Sequence, residues 1–245
     1  ICMMEELLSN TQTSFEDIKE SYTQVCDNIK KVLSATGRSD KVQLMAVTKT
    51  VDPERINYAI DLGIDLLGEN RVQEFLDKRD SYKKAEVHFI GGLQTNKVKY
   101  IIDKVSMIHS VDNARLAQEI SRRAGQHGLV MDILVEVNIG EEQTKGGISP
   151  ESVRGFCAEV LELPNIRLRG LMTIPPPGCS EKIFAMMQEL FQNIKAEPPQ
   201  NSNEKNMLFD TLSMGMSGDY EAAVKYGATI IRVGSGLFGY RKYNK

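Results

Sequence analysis

A lysine directly follows an apolar run near the start of the chain. The stretch LMAVTKT holds four apolar residues from Leu44 to Val47 and then places Lys49 at their exit. Burial of a lysine side chain disfavours the ammonium form and leaves a neutral amine that can add to a carbonyl group. Lysines at strand exits also commonly extend their charged ends into water. The stretch alone is therefore compatible with a nucleophile or with a solvated residue.

A glycine- and serine-rich segment near the C-terminus could bind a phosphate group. RVGSGLFG matches G-x-G-x-x-G at Gly234, Gly236 and Gly239, but only six residues follow it. The dinucleotide fingerprint also requires a following helix and another strand, so we do not expect a Rossmann site. Small residues after the last strand of a barrel let backbone N–H groups approach an anion. The alternative is a simple tight turn.

A second segment supports the phosphate interpretation. In SMGMSGDYEAAV, Ser217 could cap a helix whose first amides face the same anion. A cap with no ligand is the alternative, and the two functions are compatible. Together the segments predict a phosphate monoester site between the seventh and eighth strands.

Short apolar runs alternate with amphipathic stretches along the chain, as is typical of parallel βα units. The eight runs are VQLMAVTK, DLLGEN, VHFIGGL, SMIHSVD, MDILVEVN, RLRGLMTI, DTLSMGMS and TIIRVGSG. With 245 residues, they predict an α/β fold with one domain over residues 1–245: an N-terminal helical segment at 1–37 and a TIM-type (β/α)8 barrel at 42–239. A doubly wound open sheet is the structural alternative.

Active sites of such barrels lie at the carboxyl ends of the strands, so polar and glycine residues following each run are candidates. They are Lys49, Glu69, Asn70, Gln94, Asn96, Lys97, Asn138, Ser213, Ser217, Asp219, Arg232, Gly234, Ser235 and Gly236. We expect Lys97 to be a surface lysine at a helix start and keep it outside the core site. His88 and His109 are expected to be hydrogen-bonded core or rim residues rather than catalysts.

Composition narrows the function classes. The formal net charge is −3, from 30 Lys+Arg and 33 Asp+Glu, which provides no basic field for a nucleic acid. No apolar run reaches a membrane span, and ICMMEELLSN lacks the features of a signal peptide, so we expect a cytoplasmic protein. The four cysteines and three histidines are not at metal-ligand spacing, and we expect no metal site.

Several motifs together resemble the YggS/PROSC family of pyridoxal 5′-phosphate homeostasis proteins. They are AVTKT, GENRVQEF, HFIGGLQTNK, HSVD, GLMTI, LSMGMSGDYEAAVKYGAT and IRVGSGLFG, in family order from Val42 to Gly239. The resemblance implies a barrel like the N-terminal half of alanine racemase, with pyridoxal phosphate held on Lys49 as an internal aldimine. By the same resemblance, the phosphate is held by Ser217, Gly234 and Ser235, the pyridine nitrogen is approached by Arg232, and the ring is flanked by Asn70.

The resemblance implies a cofactor carrier rather than an established catalyst. An arginine at the pyridine nitrogen disfavours its protonation, and racemisation needs a second acid/base group on the other face of the cofactor. In alanine racemase that group is a tyrosine from the partner chain, alongside a separate β domain for which the eight βα units leave no residues. We expect a protein that buffers and delivers pyridoxal phosphate, with apo-enzymes as possible recipients, and that is a monomer or weak dimer. The alternatives are a weak pyridoxal-phosphate-dependent racemase or related enzyme, and a cofactor-free Schiff-base aldolase using Lys49.

Overall fold

Eight parallel strands form a closed barrel in chain order. The computed structural model describes residues 13–141, 146–176, 178, 180–199 and 206–239. The strands are β1 Gln43–Val47, β2 Leu66–Glu69, β3 Glu86–Phe89, β4 Met107–Val111, β5 Met131–Glu136, β6 Ile166–Met172, β7 Met207–Ser213 and β8 Ile230–Val233. Pairing of β8 with β1, from Gln43–Ile230 to Ala46–Val233, closes the ring. The predicted (β/α)8 barrel is confirmed, and the open sheet is wrong.

Helices separate successive strands and cover the barrel. They are α1 Phe15–Thr36, α2 Pro53–Asp61, α3 Val72–Lys78, α4 Val98–Ile101, α5 Ala114–Gln126, α6 Val153–Leu161, α7 Ser180–Ala196, α8 Tyr220–Lys225 and α9 Ser235–Phe238. Short 3-10 turns occupy Arg79–Ser81 and Thr95–Lys97. Within the described ranges, no helix is long and apolar enough to cross a membrane.

The first helix has strong start and stop signals. Ser14 Oγ accepts a hydrogen bond from the Asp17 amide at 3.1 Å, and Asp17 Oδ2 accepts one from the Ser14 amide at 2.9 Å, forming a capping box. The helix ends at Gly37, whose φ of 67° is left-handed. The predicted helical segment is therefore one helix from Phe15, and residues 1–12 of that prediction lie outside the described residues.

Steric crowding requires a glycine at one position in the barrel wall. Gly170 has a φ of 147°, and a Cβ there would lie 1.9 Å from the carbonyl oxygen of Thr211. The register between β6 and β7 shifts at this point. A side chain at residue 170 would therefore separate the two strands.

The barrel interior contains both apolar and polar side chains. Apolar clusters form around Met45, Leu66 and Ile230 and around Met107, Leu134 and Met172. His88, His109, Ser213 and Arg232 are also buried, each at most 4% exposed. Buried polar groups are costly unless they are hydrogen-bonded, so these four need partners within the protein.

Candidate functional site

The six predicted cofactor-binding residues lie on or after neighbouring strands. Arg232 belongs to β8, and the other five follow the ends of β1, β2, β7 or β8: Lys49, Asn70, Ser217, Gly234 and Ser235. Because β7, β8, β1 and β2 are neighbours around a parallel barrel, these ends share one arc of its carboxyl-terminal rim. The fold thus brings together residues separated by up to 186 positions in the sequence.

The turn that carries Lys49 is held in place by its neighbours. Lys49 is partly buried two residues beyond β1, and the next residue, Thr50, has a left-handed φ of 60°. The Thr50 amide donates to the carboxylate of Glu74. Lys78 Nζ donates to the carbonyl oxygens of Thr48 at 2.9 Å and of Val51 at 3.2 Å. These bonds fix the backbone on both sides of Lys49.

Glu69 supports this turn from outside the barrel. A Cβ on Gly68 would lie 2.5 Å from Met45 Sδ, so Gly68 faces the interior and strand alternation directs Glu69 outward. Glu69 Oε1 accepts hydrogen bonds from Thr48 Oγ1 and Tyr82 Oη, both at 2.6 Å. Burial and the nearby Glu69 raise the pKa of Tyr82, which keeps its hydroxyl a donor. Glu69 is therefore a structural anchor and not a rim group.

Asn70 presents a buried acceptor that no donor in the described part of the chain satisfies. Its Oδ1 has no hydrogen-bond partner among the described residues. The backbone here is tightly packed, since a Cβ on Gly91 would lie 2.2 Å from the Asn70 carbonyl oxygen. Buried acceptors are normally satisfied, so an unpartnered one at this rim fits a ligand donor or an ordered water.

Ser217 joins the loop after β7 to the turn after β8. Its Oγ accepts from the amides of Gly234 at 3.2 Å and Gly236 at 3.0 Å. A Cβ on Gly236 would lie 2.9 Å from Val233 Cγ1 and 3.2 Å from Ser217 Cβ. Glycine at residue 236 therefore keeps these amides and the hydroxyl accessible to one another, an arrangement suited to an anion.

The predicted helix cap at Ser217 is wrong. The α8 helix begins at Tyr220 with Asp219 in the cap position. Asp219 Oδ1 accepts from the Met216 amide at 2.7 Å, and its Oδ2 accepts from Ser180 Oγ at 2.8 Å. Because Asp219 orders the loop, the Ser217 hydroxyl is directed to the β8 turn instead.

Arg232 places a cation in the barrel interior. It is 4% exposed, and it donates from Nη1 to Ser213 Oγ at 2.7 Å and from Nη2 to the Thr173 carbonyl oxygen at 2.8 Å. Burial lowers the pKa of Arg232 to about 10, partly opposed by Glu136 and Asp219. The guanidinium therefore remains charged at neutral pH.

Glu136 is a titratable group that the sequence reasoning missed. It ends β5, and burial followed by repulsion from Asp112 raises its pKa to about 7, with Arg232 acting in the opposite direction. The signal was present in the sequence, because ILVEV places one polar residue within an apolar strand at its carboxyl end. Glu136 thus supplies a group that changes protonation state near neutral pH.

The other strand-end candidates have more peripheral positions. Gln94 and Asn96 are exposed, and Lys97 ends a 3-10 turn with Nζ 5.7 Å from the ring centroid of Tyr100. The amide of Asn138 donates to the Ile148 carbonyl oxygen at 3.0 Å. Across the described residues, no group of three or more His, Cys, Asp and Glu could hold a metal ion.

Comparison with known sequences extends these observations. The family model described as "Alanine racemase, N-terminal domain" matches residues 21–242. A "Pyridoxal phosphate homeostasis protein" of Aquifex aeolicus (strain VF5) is 44% identical over 231 residues, covering 91% of this chain and 98% of that protein. A protein of the same name in Escherichia coli (strain K12) is 36% identical over 239 residues, covering 94% and 99%.

Solved structures give the same relationship. PipY of Synechococcus elongatus PCC7942, solved with PLP bound, has a TM-score of 0.73 and 32% identity, covering 86% of this chain and 100% of PipY. An alanine racemase of Clostridium difficile 630 shares the fold with a TM-score of 0.67 at 18% identity, and this chain spans 56% of it. The resemblance to the YggS/PROSC family is confirmed. This chain therefore belongs to the alanine racemase N-terminal domain family and, within it, to the pyridoxal phosphate homeostasis proteins.

Proposed function

We propose that this chain binds pyridoxal 5′-phosphate covalently through Lys49 and keeps it as a protected reserve for enzymes that require it. The observation that carries the proposal is the arc of the rim where Lys49, Asn70 and Ser217 follow neighbouring strands beside the buried Arg232. The names of the relatives from Aquifex aeolicus and Escherichia coli, and the PLP-bound structure of PipY, support the same cofactor.

The groups around Ser217 fit a phosphate monoester. The amides of Gly234 and Gly236 donate to Ser217 Oγ at 3.2 Å and 3.0 Å, and a phosphate oxygen would replace Ser217 Oγ as their acceptor while the hydroxyl donates its own proton to the phosphate. Hydroxyl and backbone N–H donors of this kind bind phosphate oxygens without needing a cationic side chain. Ser235 lies between the two glycines, so we assign its amide and hydroxyl to the same anion. Asn70 Oδ1, which lacks a donor among the described residues, would face the ring.

Arg232 would limit how strongly the bound cofactor reacts. Pyridoxal phosphate supplies an aldehyde that an amine can hold and a ring that withdraws electrons from an attached carbon. A guanidinium can only donate hydrogen bonds, so a ring nitrogen facing Arg232 must accept and stays unprotonated. An unprotonated ring withdraws electrons weakly. This supports a carrier over a catalyst.

A carrier also needs to release its cargo by an ordinary reaction. The Lys49 amine condenses with the aldehyde, forming a C=N bond and losing one water, and the reverse hydrolysis returns both groups. No other reagent is required. We propose that apo-enzymes receive the released cofactor in the cytoplasm.

One observation supports a second candidate, a weak pyridoxal-phosphate-dependent racemase. Glu136 ends β5, which lies opposite β1 in the ring of eight strands, and its pKa of about 7 suits a general acid or base. A racemase with this second group would convert L-alanine to D-alanine at neutral pH, and Glu136→Gln would abolish the conversion. The carrier predicts no sustained conversion by the wild-type protein, as measured by circular dichroism of the alanine solution.

Uptake of the cofactor is the direct experiment on the proposal. We expect wild-type protein titrated with pyridoxal phosphate to gain a saturable visible absorption band with one cofactor per chain. Lys49→Ala should lose the band. Lys97→Ala is the matched control, because Lys97 also follows a strand at the carboxyl-terminal rim but has its ammonium near Tyr100. Equal bands in wild-type and Lys49→Ala protein would refute the assignment of Lys49.

A further inference from the structure

A continuous line of hydrogen bonds leads away from Arg232. Ser213 Oγ, which accepts from Arg232 Nη1 at 2.7 Å, lies 3.1 Å from His109 Nδ1. His109 Nε2 lies 2.9 Å from His88 Nδ1. His88 Nε2 lies 3.2 Å from Glu86 Oε1. The line therefore joins a buried guanidinium to a carboxylate through one hydroxyl and two imidazoles.

This line runs through the inside of the barrel. His109 is on β4 and Ser213 is on β7, which are separated by two strands in the ring, so their side chains meet across the interior. His88, His109 and Ser213 are each at most 2% exposed. Glu86 begins β3, at the amino-terminal end of the barrel, and is exposed. The line thus connects Glu86, at the amino-terminal opening of the barrel, with Arg232, near its carboxyl-terminal rim.

Glu86 and the neutral His109 limit the directions that the hydrogen bonds can take. The hydrogen bond between Glu86 and His88 lowers the pKa of Glu86 to about 2, so the Glu86 carboxylate can only accept. Burial, together with His88 and Arg232, holds the pKa of His109 well below its ordinary value, so this imidazole is neutral.

Because the Glu86 carboxylate can only accept, His88 Nε2 donates to it. We infer that His88 Nδ1 accepts the proton of His109 Nε2, which leaves Nδ1 of the neutral His109 as an acceptor. The Ser213 hydroxyl must then donate to His109, which leaves its lone pairs for Arg232. Each hydrogen bond of the line is then donated in the direction from Arg232 to Glu86.

We propose that Ser213, His109 and His88 are positioning residues for Arg232, and that this directed line, ending on Glu86, holds the guanidinium in the orientation in which it meets the cofactor ring. The inference rests on the proposed function for its ligand. The line makes Ser213 Oγ a fixed acceptor, because its only proton is committed to His109. Arg232 then has one acceptor on Ser213 and a second on the Thr173 carbonyl oxygen, and its plane is fixed.

Histidine tautomers test the line in the cofactor-free protein. The chain has three histidines, and His127 is exposed, so nitrogen-15 NMR can resolve all of them, with assignments from single His→Gln variants. We expect a proton on Nε2 and none on Nδ1 for both His88 and His109 at neutral pH, with the exposed His127 as the reference signal. A proton on Nδ1 of either buried imidazole would overturn the directed line.

Substitutions test the positioning role in the cofactor-loaded protein. His109→Phe removes both ring nitrogens from the line, whereas His109→Gln keeps one donor and one acceptor. Met107→Leu is the matched control, since Met107 is a buried interior residue two positions earlier on β4. The readouts are the position of the visible absorption band and the rate of cofactor release.

The expected pattern separates positioning from packing. For His109→Phe we expect a shifted band and release faster by about tenfold to a hundredfold, the effect of weakening a hydrogen bond to a charged group. His109→Gln should lie close to the wild type, and Met107→Leu should match it. If His109→Phe does not fold, Ser213→Ala takes its place with the same expected shift. If His109→Phe has the same band position and release rate as Met107→Leu, the proposal is overturned.

Failure of the proposed function gives a different result. Wild-type protein that takes up no pyridoxal phosphate would contradict the cofactor and, with it, a positioning role towards that ring. The tautomers in the cofactor-free protein would still decide whether the hydrogen-bonded line exists.

Discussion

Replacement of Glu136 by glutamine should increase stability in a pH-dependent way. Burial and Asp112 raise the pKa of Glu136 from its ordinary 4.5 to about 7. In this pH range the folded protein binds a proton that the unfolded chain does not, so the free energy of unfolding falls as pH rises from 4.5 to 7. At about 1.4 kcal/mol per pKa unit, the full loss is about 3 kcal/mol. Glutamine resembles the protonated form and avoids this loss.

Urea unfolding of the two proteins across pH measures the effect. We expect similar free energies of unfolding below about pH 4.5, a growing advantage of Glu136→Gln up to about pH 7 and a plateau above it. Glu20→Gln, at an exposed position of α1, is the matched control and should show no such trend. A difference between Glu136→Gln and wild type that is the same at about pH 5 and about pH 8 would refute the reasoning.

Three further substitutions test other parts of the account. Ser217→Ala should weaken pyridoxal phosphate binding by about tenfold to a hundredfold, since one hydrogen bond to a charged phosphate is lost, and absorbance titration measures it. Gly170→Ala should lower the free energy of unfolding by about 3 kcal/mol or more, because its Cβ would lie 1.9 Å from the Thr211 carbonyl oxygen. Tyr82→Phe should lower the free energy of unfolding by about 1–2 kcal/mol, because it removes a donor from buried Glu69. An unchanged urea unfolding curve would contradict a stabilising role of that hydrogen bond.

The strand pattern was predictable from the sequence because it depends on local chemistry. Each of the eight apolar runs overlaps a strand of the barrel, and Gly37 ends the first helix as expected. Polar residues after the runs then fall on the rim by topology alone, which is how Lys49 and Asn70 were found. The identity of the cofactor was inferred from the family motifs, because no local pattern specifies it.

Side-chain direction was not predictable in the same way. Glu69 ends β2 directly before Asn70, yet strand alternation turns it outward to Thr48 and Tyr82. The two buried histidines were expected to be satisfied core residues, and they are buried and hydrogen-bonded. Their connection to Arg232 depends on contacts across the barrel, between residues far apart in sequence, which a linear pattern cannot contain.

The most direct test of the central claim is to identify the residue that holds the cofactor. Wild-type protein loaded with pyridoxal phosphate is reduced with borohydride, which converts a C=N bond to a stable amine, and its peptides are then mapped by mass spectrometry. The account predicts a single pyridoxyl group on the peptide containing Lys49. A label on another lysine, a label spread over several lysines, or no label would contradict it.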